Sequence, residues 1–148
     1  MLLRELRRVE QLHGNGCFIA CLAMLKGITY EEAFKLIHPD KDMAAISYYD
    51  RIGLTPEESI QRLEQLGLGP VHRPLRQLRN LRRTALLLIR WEHAPTLLHG
   101  VVFDASTKKF LDPGYLRKPK TYERQLDTVL YFKAPELTHR IAEARRAA

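Results

Sequence analysis

Residues 17–26, CFIACLAMLK, are apolar at every position but the last. No stripe separates a wet face from a dry one, so the spacing predicts a helix buried on all sides, with Gly27 as its stop. The next stretch, TYEEAFKLI, places Thr29 and Glu32 at capping-box spacing and closes at His38-Pro39, because the residue before a proline is pushed out of helical geometry. Residues 39–54 are polar and irregular and read as a surface loop. TPEESIQRLEQLG then carries a full set of helix punctuation: Thr55 at the cap, Pro56 in the first turn, Glu58 closing the box and Gly67 as the stop. A basic helix is predicted over 74–82. Beyond it the texture changes to short β-prone runs, TALLLIRW, TLLHGVVFD, KKFLD and DTVLYFK, separated by turn residues, which predict antiparallel strands. An arginine-rich surface helix is predicted over 135–146. Helices first and strands after predict the α+β class, a helical half packed on a C-terminal antiparallel sheet.

The length of 148 residues predicts a single domain over 1–148, its residues 135–148 forming a basic helix or tail. No repeat or low-complexity tract divides it. The longest apolar run, ALLLI, is far short of a membrane span, and the charged start MLLRELRRVE has no signal-peptide core. These features predict a soluble protein of the cytoplasm, or one secreted without a cleaved signal. Two cysteines four positions apart do not make a disulfide framework, so both are expected as reduced thiols. The net charge of +7 is spread over RELRR, RPLRQLRNLRR, LRKPK and HRIAEARR. No helix-turn-helix, zinc finger or aromatic-basic strand accompanies it, so nucleic acid is not the expected partner; an acidic substrate or partner suits the charge better.

Cys17 stands where the glycine-bearing loop LHGNG becomes the buried helix. A helix start offers unpaired N–H groups and the positive end of the helix dipole, which stabilise a thiolate. Packing alone would also account for a cysteine there. Cys21, one turn further in, is expected in the core. His99 lies in the run TLLHGVVFD, and a hairpin centred between Ala105 and Ser106 sets it opposite Asp112. Opposed residues of a sheet have Cβ atoms about 4.5–5.5 Å apart, close enough for a carboxylate to hold an imidazole in one tautomer.

The motif Q-x5-C-x2-A-C-L-A-M-L from Gln11 to Leu25 resembles the nucleophile segment of papain-like cysteine peptidases, most closely the double-glycine leader peptidases that process bacteriocin precursors. The later LHGVVF, with Asp112-Pro113 after it, is similar to that family's histidine strand and its Asp-Pro. LTPEESIQRLEQLGLG fills the place of the family's second amphipathic segment, so the resemblance spans roughly residues 8 to 132. It implies a papain-like fold with the site between helix and sheet. It implies Cys17 as nucleophile, His99 as general base and acid, Asp112 as the residue orienting His99, and Gln11 with the Cys17 N–H as oxyanion donors. The implied activity is hydrolysis of a peptide or isopeptide bond, without a cofactor. The family usually has an acidic residue before the nucleophile, glycine after it and an aromatic residue after the histidine. Here Gly16, Phe18 and Gly100 stand in those places, and they are expected to shape the substrate cleft, Phe18 by narrowing it and Gly100 by removing a wall. Trp91, near His93, is assigned to the cleft mouth, and Tyr49, beside Tyr48, to a substrate wall or to anchoring its own loop. With no transporter segment, a role in exporting a leader peptide does not follow.

Other readings remain open from the sequence. The same three residues serve a glutamine deamidase or acyl transferase when a side-chain amide docks, and a non-catalytic papain-like module could grip a peptide without turnover. His13, Cys17 and Cys21 form H-x3-C-x3-C, which offers fewer ligands than a zinc site takes, so no metal is expected.

Overall fold

The computed structural model describes residues 6–67, 70–73, 84–90, 98–114 and 118–132. The predicted helices over 74–82 and 135–146 lie outside them, as do Trp91 and His93.

Helix α1, Cys17–Lys26, is the hub, with every residue from Phe18 to Leu25 buried. It lacks an amphipathic stripe because strand β3 covers one side and helix α2 another. Gly27 ends it in the left-handed conformation (φ 68°), and the N–H groups of Gly27 and Ile28 both return to the Ala23 carbonyl. Helix α2, Tyr30–Ile37, starts at the reciprocal Thr29–Glu32 box and buries Tyr30, Ala33, Phe34 and Ile37 against α1, one face at helical spacing. A single 3-10 turn, Met43–Ala45, interrupts the following loop. Helix α3, Pro56–Gln65, has the Thr55–Glu58 box and proline in its first turn, and Gly67 follows it at φ 75°.

Five strands form one sheet: β1 Pro70–Arg73, β2 Ala85–Arg90, β3 Leu98–Asp104, β4 Lys109–Leu111 and β5 Leu126–Phe132. Their order is β1-β5-β2-β3-β4, and every neighbouring pair is antiparallel. The α+β expectation therefore holds. Leu86, Leu88 and Val102 face the α1–α2 core; Ala85, Leu87, Ile89, Val101 and Phe103 face a second core containing Val129 and Tyr122. Tyr122 belongs to α4, Pro119–Gln125, a short helix between β4 and β5 that the sequence pattern did not predict. Strand β1 was also unforeseen, since four residues carry no readable alternation and their strand state comes from pairing with β5. Among the described residues no helix is long and apolar enough to cross a membrane.

The β3–β4 register corrects the expected one. Val102 opposes Leu111, Phe103 opposes Phe110 and Asp104 opposes Lys109, which centres the hairpin between Ser106 and Thr107. Extrapolated, it places Gly114 rather than Asp112 opposite His99. The cause is a four-residue loop, Ala105–Lys108, closed by Lys108 at φ 59° and by Asp104, whose carboxylate accepts from the Ser106 N–H at 3.0 Å and hydroxyl at 2.7 Å. A slip of two residues preserves the face of every side chain, so Asp112 remains on the side of the sheet that His99 uses.

Candidate active site

Cys17 is the first residue of α1, behind Gly16, which caps the helix without any side-chain hydrogen bond. The N–H groups of the first turn have no acceptor inside the helix. That of Phe18 is directed to the Cys17 sulfur. The N–H of Gly100 reaches the same sulfur from β3. The described pairing of β4 begins only at Val102, so the outer edge of β3 at Gly100 is turned to the thiol rather than to a strand. Helix α1 packs directly on β3 here: a Cβ on Gly100 would stand in ordinary contact, 3.4 Å from the Cys21 sulfur and 3.9 Å from the Cys17 carbonyl carbon.

The imidazole of His99 hydrogen-bonds the Cys17 thiol, and its Nε2 lies 2.7 Å from Asp112 Oδ1. With Nε2 engaged by the carboxylate, Nδ1 is the nitrogen left for sulfur. His99 and Asp112 are buried at 5% and 0% exposure, whereas Cys17 is half-buried. Access therefore narrows to the sulfur. The carboxylate is held on both oxygens, Oδ1 also accepting from the Gly114 N–H at 2.8 Å and Oδ2 from the Tyr122 hydroxyl at 2.8 Å.

These contacts decide the charge states. Burial pushes the Cys17 thiol up, but the His99 hydrogen bond, the imidazole charge and the Gly100 and Phe18 N–H groups outweigh it and leave the thiol more acidic than an ordinary cysteine. Burial pushes His99 down; its bonds to Asp112 and Cys17, with their charges, reverse this and raise it to about 9. Asp112 sits below the usual carboxylate range, since the His99 bond and charge, the Gly114 N–H and the Tyr122 hydroxyl together exceed the opposing effect of burial. These directions, Cys17 and Asp112 lowered and His99 raised, favour a thiolate–imidazolium–carboxylate series. Cys21, fully buried, is the reverse case: desolvation and the neighbouring Cys17 and Asp112 charges hold its thiol protonated. Both cysteines are free.

A braced loop delivers Cys17 to this position. Tyr30 is buried under it, its hydroxyl lying 2.9 Å from His13 Nδ1. The other nitrogen of His13 meets the Ile46 carbonyl, so the imidazole is a neutral brace and burial keeps it so against the Asp50 charge. On the far side, residues 6–11 run along the β3–β4 hairpin. The Leu6 N–H donates to Asp104 Oδ2 at 3.0 Å, Arg8 Nε to the Asp112 carbonyl at 2.6 Å with a second guanidinium contact to the Gly114 carbonyl, and the Gln11 N–H to the Pro113 carbonyl at 2.9 Å.

The structure thus brings together Cys17, His99 and Asp112, and sets Gln11 beside them. The Gln11 carboxamide, expected to face a reacting carbonyl, here gives its nitrogen to the His13 and Gly14 carbonyls at 2.9 and 3.0 Å. Its Oε1 is buried without a hydrogen-bond partner.

Three residues expected to shape a substrate cleft do something else. Gly16 is buried because a Cβ there would meet the Tyr30 hydroxyl at 2.1 Å. Phe18 turns its ring into the main core and gives only its N–H to the site. Gly100 faces α1 in the interior instead of opening a wall. Tyr49 is 89% exposed and packs edge-on against Tyr48, whose carbonyl accepts the Gly14 N–H at 2.8 Å. It therefore stands on the outer side of the loop that leads to Cys17. Sequence reasoning missed Tyr122, Arg8 and Tyr30. Tyr122 alone left a trace, a single aromatic in the otherwise polar PKTYERQ. Among the described residues, no three of His, Cys, Asp and Glu cluster as a metal site would require. No family model matches the chain, and neither the curated proteins nor the solved structures include one similar to it.

Proposed function

We propose that the protein is a papain-like cysteine peptidase that hydrolyses peptide or isopeptide bonds through Cys17, His99 and Asp112. The observation that carries this reading is the continuous hydrogen-bonded series from a half-buried helix-start thiol through a buried imidazole to a buried carboxylate. A helical half packed on an antiparallel sheet, with the sulfur at the helix start and the imidazole on the adjoining strand, supports the papain-like arrangement. The Cys17 thiolate attacks the amide carbonyl carbon, forming a C–S bond and moving the π electrons onto oxygen. The oxyanion meets the N–H groups of the first turn of α1, Cys17's own among them. Gln11 joins these donors only by releasing one of its loop carbonyls. His99 then gives its proton to the leaving nitrogen as the C–N bond breaks, and later takes one from the water that cleaves the thioester. Free thiols suit a reducing compartment such as the cytoplasm, and the basic chain suits an acidic peptide or protein substrate.

The test is incubation of wild-type and Cys17→Ala protein with a complex peptide pool, followed by mass-spectrometric identification of new termini. New termini with the wild type alone are the expected result. Glutamine-to-glutamate conversion with ammonia release and no new termini would replace peptidase by deamidase. Binding of peptides unchanged by Cys17→Ala, with no chemistry, would leave a binding module.

The charge states set the pH dependence. His99, raised to about 9, carries the proton for the leaving nitrogen below that pH and has lost it above. We expect kcat/KM for a cleaved peptide to fall above about pH 9, while alkylation of Cys17, which needs only the thiolate, continues undiminished. Parallel loss of both in the alkaline range would contradict the assignment. Tyr49, exposed beside the loop, is expected to act on substrate alone: Tyr49→Ala should raise KM about fivefold, the order of one aromatic contact, and leave Cys17 alkylation unchanged.

A further inference from the structure

Tyr122 is fully buried, yet it comes from a seven-residue helix whose other residues are exposed or only partly buried. Its ring stacks on Phe110 at 4.7 Å between centroids and 22° between planes, and Phe110 in turn packs on Phe103. The hydroxyl is what this packing delivers: it donates to Asp112 Oδ2 at 2.8 Å, on the oxygen that His99 does not use.

We propose that Tyr122 is a positioning residue for the reaction, holding Asp112 ionised and rotationally fixed so that His99 stays protonated beside the Cys17 thiolate. This rests on the peptidase reading of the same site. A carboxylate bonded through one oxygen can swing about its Cβ–Cγ bond and, buried, is inclined to take a proton. A hydrogen bond to the second oxygen opposes both, because it favours the charged form and fixes the plane. Among the described residues, the groups that act on Asp112 are few. His99 on β3 supplies the cation and Gly114 an N–H. Cys21 on α1 lies within electrostatic reach, and Arg8 from the N-terminal segment contacts the Asp112 carbonyl rather than the carboxylate. The Tyr122 hydroxyl is thus the side-chain donor that covers Oδ2.

The experiment is the pH profile of iodoacetamide alkylation at Cys17, followed by mass spectrometry, in wild type, Tyr122→Phe and Phe110→Leu. The first variant removes the hydroxyl and keeps the ring; the second loosens the ring stack and keeps the hydroxyl. Without the donor on Oδ2, Asp112 takes a proton at higher pH and releases the imidazolium, and the thiolate goes with it. Tyr122→Phe should therefore move the acid limb of the profile upward by about one pH unit, the order expected for one hydrogen bond to a buried charge. Phe110→Leu should lower the melting temperature without moving that limb. An unmoved limb in Tyr122→Phe, or equal shifts in both variants, would reduce Tyr122 to packing and overturn the inference. A wild-type profile that rises only near an ordinary thiol pKa would overturn the peptidase reading itself, and this inference with it, so the two failures are told apart by the wild-type curve.

Discussion

Replacing His99 with alanine is expected to return Cys17 to the behaviour of an ordinary thiol. In the wild type the imidazole and two N–H groups lower the thiol pKa, so its alkylation should rise less steeply between pH 6 and 8 than that of an ordinary thiol. Without the imidazole, burial is the largest remaining influence and raises the thiol. A thiol with pKa about 8.5 is ionised to about 0.3% at pH 6 and about 24% at pH 8, so the variant should accelerate about 75-fold over that interval. The slope is the decisive quantity. Absolute rates are complicated because a less acidic thiol, once ionised, is the stronger nucleophile. On the proposed reading, in which the same residue supplies the leaving-group proton, peptide hydrolysis should fall by roughly three orders of magnitude. The linkage has the signs that the geometry requires: Cys17 is depressed, so its favourable charge is lost as pH falls, whereas His99 is raised to about 9, so its contribution is lost as pH rises. A flat profile in His99→Ala, or a steep one in the wild type, would break the assignment.

The second large effect is on stability. Gly16→Ala forces a methyl group to 2.1 Å from the Tyr30 hydroxyl and 3.2 Å from its ring carbon, with the His13 carbonyl at 3.3 Å. Tyr30 is 5% exposed, and its hydroxyl is held 2.9 Å from His13 Nδ1, so it cannot move aside freely. Overpacking of this kind costs about 3 kcal/mol. Tyr30→Phe alone leaves the buried His13 Nδ1 without its partner and should cost about 2 kcal/mol. The two changes share one space, so the double variant should be more stable than the sum of the singles by at least about 1 kcal/mol. Chemical denaturation of the four proteins measures this. Strict additivity would mean that Gly16 serves something other than room for Tyr30.

How far the site could be read beforehand depended on the range over which each feature is determined. The two capping boxes, Thr29–Glu32 and Thr55–Glu58, formed as read because cap, box and helix lie within four residues of one another. Cys17 at a helix start was legible for the same reason. The pairing of His99 with Asp112 was legible although its register was not, because a two-residue slip leaves the pleat's alternation untouched while changing every opposed pair. Gly16, Phe18 and Gly100 were misread because their partners, Tyr30, the main core and Cys21, are brought to them by tertiary packing. The orientation of the Gln11 carboxamide depends on two carbonyls of a loop whose path no periodicity reveals.

The segment laid along the hairpin also has a temporal side. Its bonds from Leu6 to Asp104 and from Arg8 to Asp112 and Gly114 join positions 98, 104 and 106 residues apart. Contacts of such separation form late, after shorter loops have closed. On a ribosome, α1 and its thiol emerge while His99, Asp112 and Tyr122 are still to be made. The cysteine is thus an ordinary thiol until His99 and Asp112 have been made and the hairpin that carries them is held against the N-terminal segment. Whatever reactivity the thiol acquires is deferred until these distant partners have been made and have folded onto it.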